Sequence, residues 1–369
     1  MSTIALDATY TVEPEPSGIA VYSRKLIEAL AELETPHRFL LCYRLSRFGR
    51  RREFLRPAPR AGGEKSHFSV RLVQEPLTFW LPRQAELFHS LAQRPPAFHF
   101  KREIVTVFDI FPITGDKYSS PEFRRKFSAL LLEAVGRATR VITSSRYTAE
   151  QLQAHTLVTP TKLRIIPLGV DSPSLTLSPR ERGLARERIV GAGNQMVLSV
   201  GVLQTRKNTL NALRALEALP QQYRLVLVGG DGYGSEAIHD YICRPGLAPR
   251  VQVRGYVPLG ELRDLYQSAS VLLFPSLEEG FGLPVLEAMA NGLPVVASRT
   301  ASLPEVGGEA ALYVDPHDPQ DIAEKVRRAV EDSELRRNMI QQGLERAREF
   351  SWQRVAEATL KVYDEVLSQ

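Results

Sequence analysis

Short β-branched runs alternate with amphipathic stretches from one end of this 369-residue chain to the other, and this alternation restricts the fold more than any other feature. IALD (4–7) precedes a helical pattern from Ile19 to Leu33, and RFLLCY (38–43), SVRLV (69–73), ELFH (86–89), EIVTVFD (103–109), RVITSS (140–145) and KLRIIP (162–167) follow. A second series comprises QMVLSV (195–200), RLVLVGG (224–230), VQVRGY (251–256), SVLLFP (270–275) and LPVVAS (293–298). Strands separated by helices in this way build parallel sheets with crossover connections. The predicted fold class is α/β, in two doubly wound units. Open parallel sheets bind ligands beyond the carboxyl ends of their strands, so functional residues are expected in the loops that follow strands.

The boundary between the units is expected in Pro167–Arg182, where Pro, Ser and Gly replace the periodic pattern. With 43% hydrophobic residues the chain has enough apolar material for two cores. Cys42 and Cys243 lie far apart and form no metal-type cluster, which argues against a disulfide framework or a zinc site. No basic segment leads into an apolar run at the N-terminus, and no stretch of about 18 apolar residues occurs. A cytoplasmic location is the expectation. Charge is unevenly spread: residues 1–170 hold 25 Lys+Arg against 16 Asp+Glu, and the remainder 22 against 26. The densest basic segment runs from Arg44 to Arg60, with Arg124, Arg125 and Lys126 as a second cluster. Such a segment suits an anionic membrane surface or an acidic substrate, or is simply a solvated loop; without a recognition motif, nucleic acid is the weakest reading.

The chemistry concentrates in SLEEGFGLPVLEAMANGLPVVAS, residues 276–298. SVLLFPS reads as a buried strand, LEEGFGL as a loop, and Pro284 to Asn291 as a helix with Gly292 at its stop. A helix start preceded by glycines offers unpaired N–H groups and a field that favours anions. Glu279 precedes the helix and Glu287 lies within it. Carboxylates are hydrogen-bond acceptors suited to paired hydroxyls, such as sugar or ribose diols.

EEGFGLPVLEAMANGLPVVAS resembles the signature of the retaining glycosyltransferase family 4, in which two glutamates with seven residues between them flank an EGFGLP loop. Further segments are similar to parts of that family: SGIAVYSRKLIEAL (17–30), VGVLQTRKN (200–208), RGYVP (254–258) and PEVGGEAALYVDP (304–316). The resemblance implies the GT-B fold, two Rossmann-like doubly wound domains facing a cleft. It places an acceptor-binding domain at 1–170, a sugar-nucleotide-binding domain at 171–352, and a helix, 353–369, crossing back to the first domain. Closure would hinge near Gly169–Ser178. By the same resemblance Glu287 binds the ribose diol and Glu279 a hydroxyl of the donor sugar. Gly280, Phe281, Gly282 and Leu283 hold sugar and diphosphate through backbone amides, Tyr256 and Val257 contact the base, and Gly18 and Gly201 stand in the glycine loops of the two domains. Lys207 matches the diphosphate-binding lysine; Arg206 shares its role because the arginine that many members carry five residues earlier is here Val202.

His89 and Asp109, at or just after strand ends in the first domain, are candidates to contact the acceptor hydroxyl or donor sugar. Where related members carry a His-Asp pair, this chain has Phe108-Asp109. GGDGYGSE (229–236) does not satisfy GxGxxG and reads as ligand-lining backbone. No DxD is present and DPHD (315–318) follows the last strand, so no metal and no cofactor is expected. The resemblance implies transfer of a hexose or deoxyhexose, with GDP-mannose the first donor, to a hydroxyl of a glycan or lipid-linked acceptor in polysaccharide assembly. A basic first domain would then suit peripheral attachment to the inner face of a membrane. Alternatives are a GT-B-fold epimerase or phosphorylase, and a non-catalytic sugar-nucleotide-binding partner subunit.

Overall fold

A computed structural model describes residues 1–15, 17–54, 67–74, 78–171 and 178–369. The end of the basic segment Arg44–Arg60 and the centre of the expected boundary and hinge, 172–177, lie outside the described residues. The chain divides into two compact units. Unit 1 comprises Met1–Thr114, Glu122–Gly169 and Trp352–Gln369; unit 2 comprises Gly115–Pro121 and Val170–Ser351.

In unit 1, β1 (Thr3–Asp7), β2 (Arg38–Arg44), β3 (Phe68–Val73), β4 (Leu87–Ser90), β5 (Glu103–Val107), β6 (Arg140–Thr143) and β7 (Leu163–Ile165) form one sheet in the order β3-β2-β1-β4-β5-β6-β7. All pairs are parallel, with Asp7 opposite Cys42 and Leu6 opposite His89. Helices cover a parallel sheet on both faces, so its central strands are apolar throughout instead of alternating. Ile4, Ala5 and Leu6 are accordingly all fully buried. The last helix, Trp352–Leu367, packs on the helix Gly18–Glu32. Glu365 anchors it, accepting from Arg140 at 2.7 Å and from Arg164 Nε at 2.9 Å.

The structure corrects the reading of His89 as an acceptor contact. Its side chain is 0% exposed, with Nδ1 2.7 Å from the Tyr363 hydroxyl and Nε2 2.8 Å from Thr106 Oγ1. Burial pushes its pKa down to about 3, so the ring is neutral and both nitrogens are spent inside the core. His89 therefore joins β4 to β5 and to the last helix. It has no face left for a substrate.

Unit 2 holds β8 (Gln195–Val200), β9 (Tyr223–Val228), β10 (Val251–Val253), β11 (Val271–Phe274), β12 (Val295–Ser298) and β13 (Ala311–Val314), in the parallel order β10-β9-β8-β11-β12-β13. Val197, Leu225, Leu273 and Val296 from four of these strands meet Leu213, Leu216, Ile322 and Val326 from flanking helices in its main core cluster. Both sheets are doubly wound: strand order reverses at β1/β4 in one and at β8/β11 in the other. Among the described residues, no helix is long and apolar enough to cross a membrane.

Candidate functional site

The loop after β11 leads into the helix Leu283–Ala290. Gly282 stands at its N-cap with φ of 105°, where an added Cβ would come within 2.7 Å of Leu303, so both backbone and space require glycine. Pro284 occupies the first turn, and Asn291 followed by Gly292, with φ of 65°, ends the helix. The Ser302 hydroxyl lies 2.8 Å from the carbonyl of Glu279 and 2.9 Å from that of Phe281, which clamps the loop. The Phe281 ring turns inward to an edge contact with Phe350, centroids 6.1 Å apart. Gly280 is likewise buried in the loop, and Leu283 opens the helix.

A second loop, after β8, brings cations to this one. Gly201 adopts φ of 143°, and a Cβ there would press to 3.2 Å on Cε of Lys207. Asn208, left-handed at φ of 59°, donates from Nδ2 to the carbonyls of Pro275 at 3.0 Å and Pro316 at 2.7 Å. It thus ties together the loops that follow β8, β11 and β13. Leu277 N donates to the Arg206 carbonyl at 2.9 Å.

With the loops fixed, Lys207 Nζ donates to Glu279 Oε1 at 2.6 Å and Arg206 Nη1 to Glu279 Oε2 at 3.1 Å. Arg206 also donates to the Glu278 carbonyl, and the Lys207 ammonium sits 4.9 Å from the centroid of the Phe274 ring. Glu279 is only 6% exposed. Burial alone would raise its pKa, but Lys207 and then Arg206 outweigh it and hold the carboxyl down at about 2. The cluster is ionised. Two cations occupy two of the roughly four lone-pair positions of the carboxylate, and the nearby Ser276 hydroxyl helps to hold its pKa down.

Glu287 lies further along the helix in different surroundings. Tyr266, in the helix Leu259–Ser268, donates its hydroxyl to Glu287 Oε2 at 2.7 Å. Burial raises the Glu287 pKa, the Tyr266 hydrogen bond opposes that rise, and the charge of Asp171 adds to it. Its carboxylate forms no ion pair among the described residues. Tyr256 and Val257 follow β10 and lead directly into the helix that bears Tyr266; Tyr256 is 39% exposed, whereas Val257 is buried.

The structure therefore brings Arg206, Lys207 and Glu279 into contact and gives Glu287 a separate partner. Gly18, His89 and Asp109 belong to unit 1. Gly18 opens the helix Gly18–Glu32, and a Cβ there would meet nothing within 4 Å, so packing alone does not require glycine. Asp109 is half-buried just beyond β5. The 229–236 loop lies beside the loop after β8, with Thr205 N donating to the Tyr233 carbonyl at 3.0 Å and Asp231 paired with His239 at 2.7 Å. Asp315 and Asp318 of DPHD serve local turn and helix-cap bonds. Among the described residues no group of three His, Cys, Asp or Glu side chains is placed to hold a metal ion. Sequence reasoning missed Tyr266, Asn208 and Ser302. Of these only Asn208 carried a local signal, as a residue type that tolerates the left-handed conformation.

Known proteins share this arrangement of sequence and fold. Residues 16–172 match the family model described as Glycosyltransferase Family 4, and residues 186–346 the one described as Glycosyl transferases group 1. The chain is 30% identical over 267 residues to O-antigen chain mannosyltransferase B of Escherichia coli, covering 71% of this chain and 70% of that protein. It is 31% identical over 308 residues to D-inositol 3-phosphate glycosyltransferase of Corynebacterium jeikeium, covering 78% and 71%. Among solved structures, the Anabaena protein HepE in complex with UDP and glucose superposes with a TM-score of 0.76 at 17% identity, covering 99% of this chain and all of that one.

Proposed function

Because the chain belongs to the glycosyltransferases of family 4 type and has the GT-B fold, we propose that it transfers a hexose or deoxyhexose, with retention, from a nucleoside diphosphate to a hydroxyl of a glycan or lipid-linked acceptor. The observation that carries this reading is the buried, ionised cluster of Glu279 with Lys207 and Arg206, set between two fixed loops at the start of a helix. A departing nucleoside diphosphate gains negative charge as the glycosidic bond breaks. Lys207, Arg206 and the helix amides from Gly280 to Leu283 stabilise that charge more in the transition state than in the ground state. Glu279 accepts from a donor-sugar hydroxyl while keeping both cations in place, and Glu287 accepts from the ribose diol. The departing phosphate takes the proton of the acceptor hydroxyl, so no carboxylate nucleophile is required. Because side-chain cations carry the diphosphate, transfer is expected to persist in EDTA.

Mannose is the first choice of sugar and GDP-mannose of donor, supported by the similarity to a mannosyltransferase of O-antigen assembly; a dTDP- or UDP-sugar comes next. For a lipid-linked acceptor, the basic segment beginning at Arg44, with Leu45 exposed beside it, suits an anionic leaflet, each nearby cation being worth about 1 kcal/mol. Equal co-sedimentation with anionic and neutral liposomes would remove that part of the reading. Ligand-observed binding of GDP-mannose, UDP-glucose and dTDP-rhamnose, followed by product analysis with and without glycan acceptors, tests the whole. A glycoside formed only with acceptor present supports transfer. Interconversion of the sugar nucleotide without acceptor would favour an epimerase, and a requirement for free phosphate would favour a phosphorylase.

A further inference from the structure

Asp7 is the last residue of β1, where the strand order of the first sheet reverses between β2 and β4. Crevices at such reversals, beyond the carboxyl ends of the strands, are where open parallel sheets receive ligands. The residue is 4% exposed, and the one hydrogen-bond partner the described residues give it is Thr9, whose N–H donates to Oδ1 at 3.1 Å. It enters no ion pair among them. A carboxylate enclosed with so little compensation lowers stability, and its structural duty to Thr9 could be met as well by an uncharged asparagine.

Two arginines stand near it, beyond ion-pair distance. The Arg44 backbone N–H donates to Thr9 Oγ1 at 3.2 Å, and its Nη2 donates to the Arg94 carbonyl at 2.6 Å. Arg44 thus spans the loops that follow β1 and β4, across the reversal. Burial raises the Asp7 pKa while Arg44 and Arg94 act against the rise, and Tyr10 in the adjoining turn feels Arg94 and Asp7 together. The cations favour the charged carboxylate without occupying its oxygens.

We propose that Asp7 is an acceptor-binding residue, its carboxylate receiving hydrogen bonds from ring hydroxyls of a hexopyranoside seated beyond the carboxyl ends of β1 and β4. This rests on the reading that the chain glycosylates a glycan, and it assigns the acceptor's hydroxyl contact to Asp7 in place of the buried His89. A neutral sugar ring matches the site better than an anionic group, because a phosphate would face the carboxylate.

The test is a saturation-transfer NMR titration of methyl α-mannopyranoside into the full chain and its Asp7→Asn variant, with and without GDP, alongside GDP calorimetry and thermal melts. The parent binds the hexoside, and the variant loses at least tenfold in hexoside affinity while GDP affinity is unchanged and the melting temperature is equal or higher. Unchanged hexoside affinity in the variant, or no hexoside binding by the parent, overturns the proposal. A lower melting temperature would overturn it too, by making Asp7 a structural cap. Loss of GDP binding in the parent is a different outcome: it strikes the sugar-nucleotide reading, and the titrations without GDP still judge Asp7.

Discussion

Glu279 and Glu287 sit on one loop and one helix with seven residues between them, yet their surroundings drive them in opposite directions. Glu279 is locked between Lys207 and Arg206 and stays charged to about pH 2, whereas Glu287 has a tyrosine hydroxyl for a partner and a pKa that burial raises. The contrast separates two tasks that the motif alone merges. Under the proposed function, Glu279 is to organise the cations that meet the leaving diphosphate and Glu287 to accept from the ribose diol. A pair of acid–base carboxylates would instead show one group free to lose and regain a proton on each side of a bond, and Glu279 is not such a group.

Breaking the first half of the contrast has the largest expected effect. Glu279→Gln removes the carboxylate that both Lys207 and Arg206 meet, which should cost about 3–5 kcal/mol and show as a lower midpoint in urea denaturation. The pH dependence sharpens the point. The folded pKa of Glu279 lies below its ordinary value of 4.5, so its contribution is complete above about pH 4.5 and is lost as pH falls through about 2. Parent and variant stabilities should therefore converge over that window, and curves that remain parallel would contradict the pairing. Next in size, Lys207→Ala should lower kcat by about 10²–10³-fold, with a smaller change in donor binding; equal losses in kcat and affinity would contradict a transition-state role. The smallest effect probes the second half. Tyr266→Phe removes one hydrogen bond to the Glu287 carboxylate and leaves that carboxylate less well positioned, so GDP should bind more weakly, by less than in Glu287→Ala. Because that bond opposes the rise in the Glu287 pKa, binding should also fail at a higher pH in the variant as the solution is acidified. Identical pH profiles would mean that Tyr266 does not control Glu287.

Much of this arrangement was legible in the sequence, for identifiable reasons. Both sheets could be read because strands buried on both faces are written as continuous β-branched runs. EGFGLP could be read because glycine at 282 and proline at 284 answer local backbone demands, and Arg206 and Lys207 followed from the family resemblance of the segment 200–208. The same rule failed for His89. Without in–out alternation, ELFH marks a strand end but not which side chain stays inside, and the polar partners that satisfy His89, Thr106 and Tyr363, lie 17 and 274 residues away. Tyr266 and Ser302 were hidden for the same reason: each acts through one bond across the fold, and local periodicity records only that Tyr266 lies on a helix. Asp7 carries no local signal, because its place at the reversal comes from strand order, which no single run of residues displays.

The most direct test of the division between the two glutamates is isothermal titration of GDP into the parent, Glu287→Ala and Lys207→Ala proteins under one set of conditions. Binding should be at least tenfold weaker in Glu287→Ala, with a smaller loss in Lys207→Ala, both proteins remaining folded. Unchanged affinity in Glu287→Ala, or a larger loss in Lys207→Ala, would contradict that division.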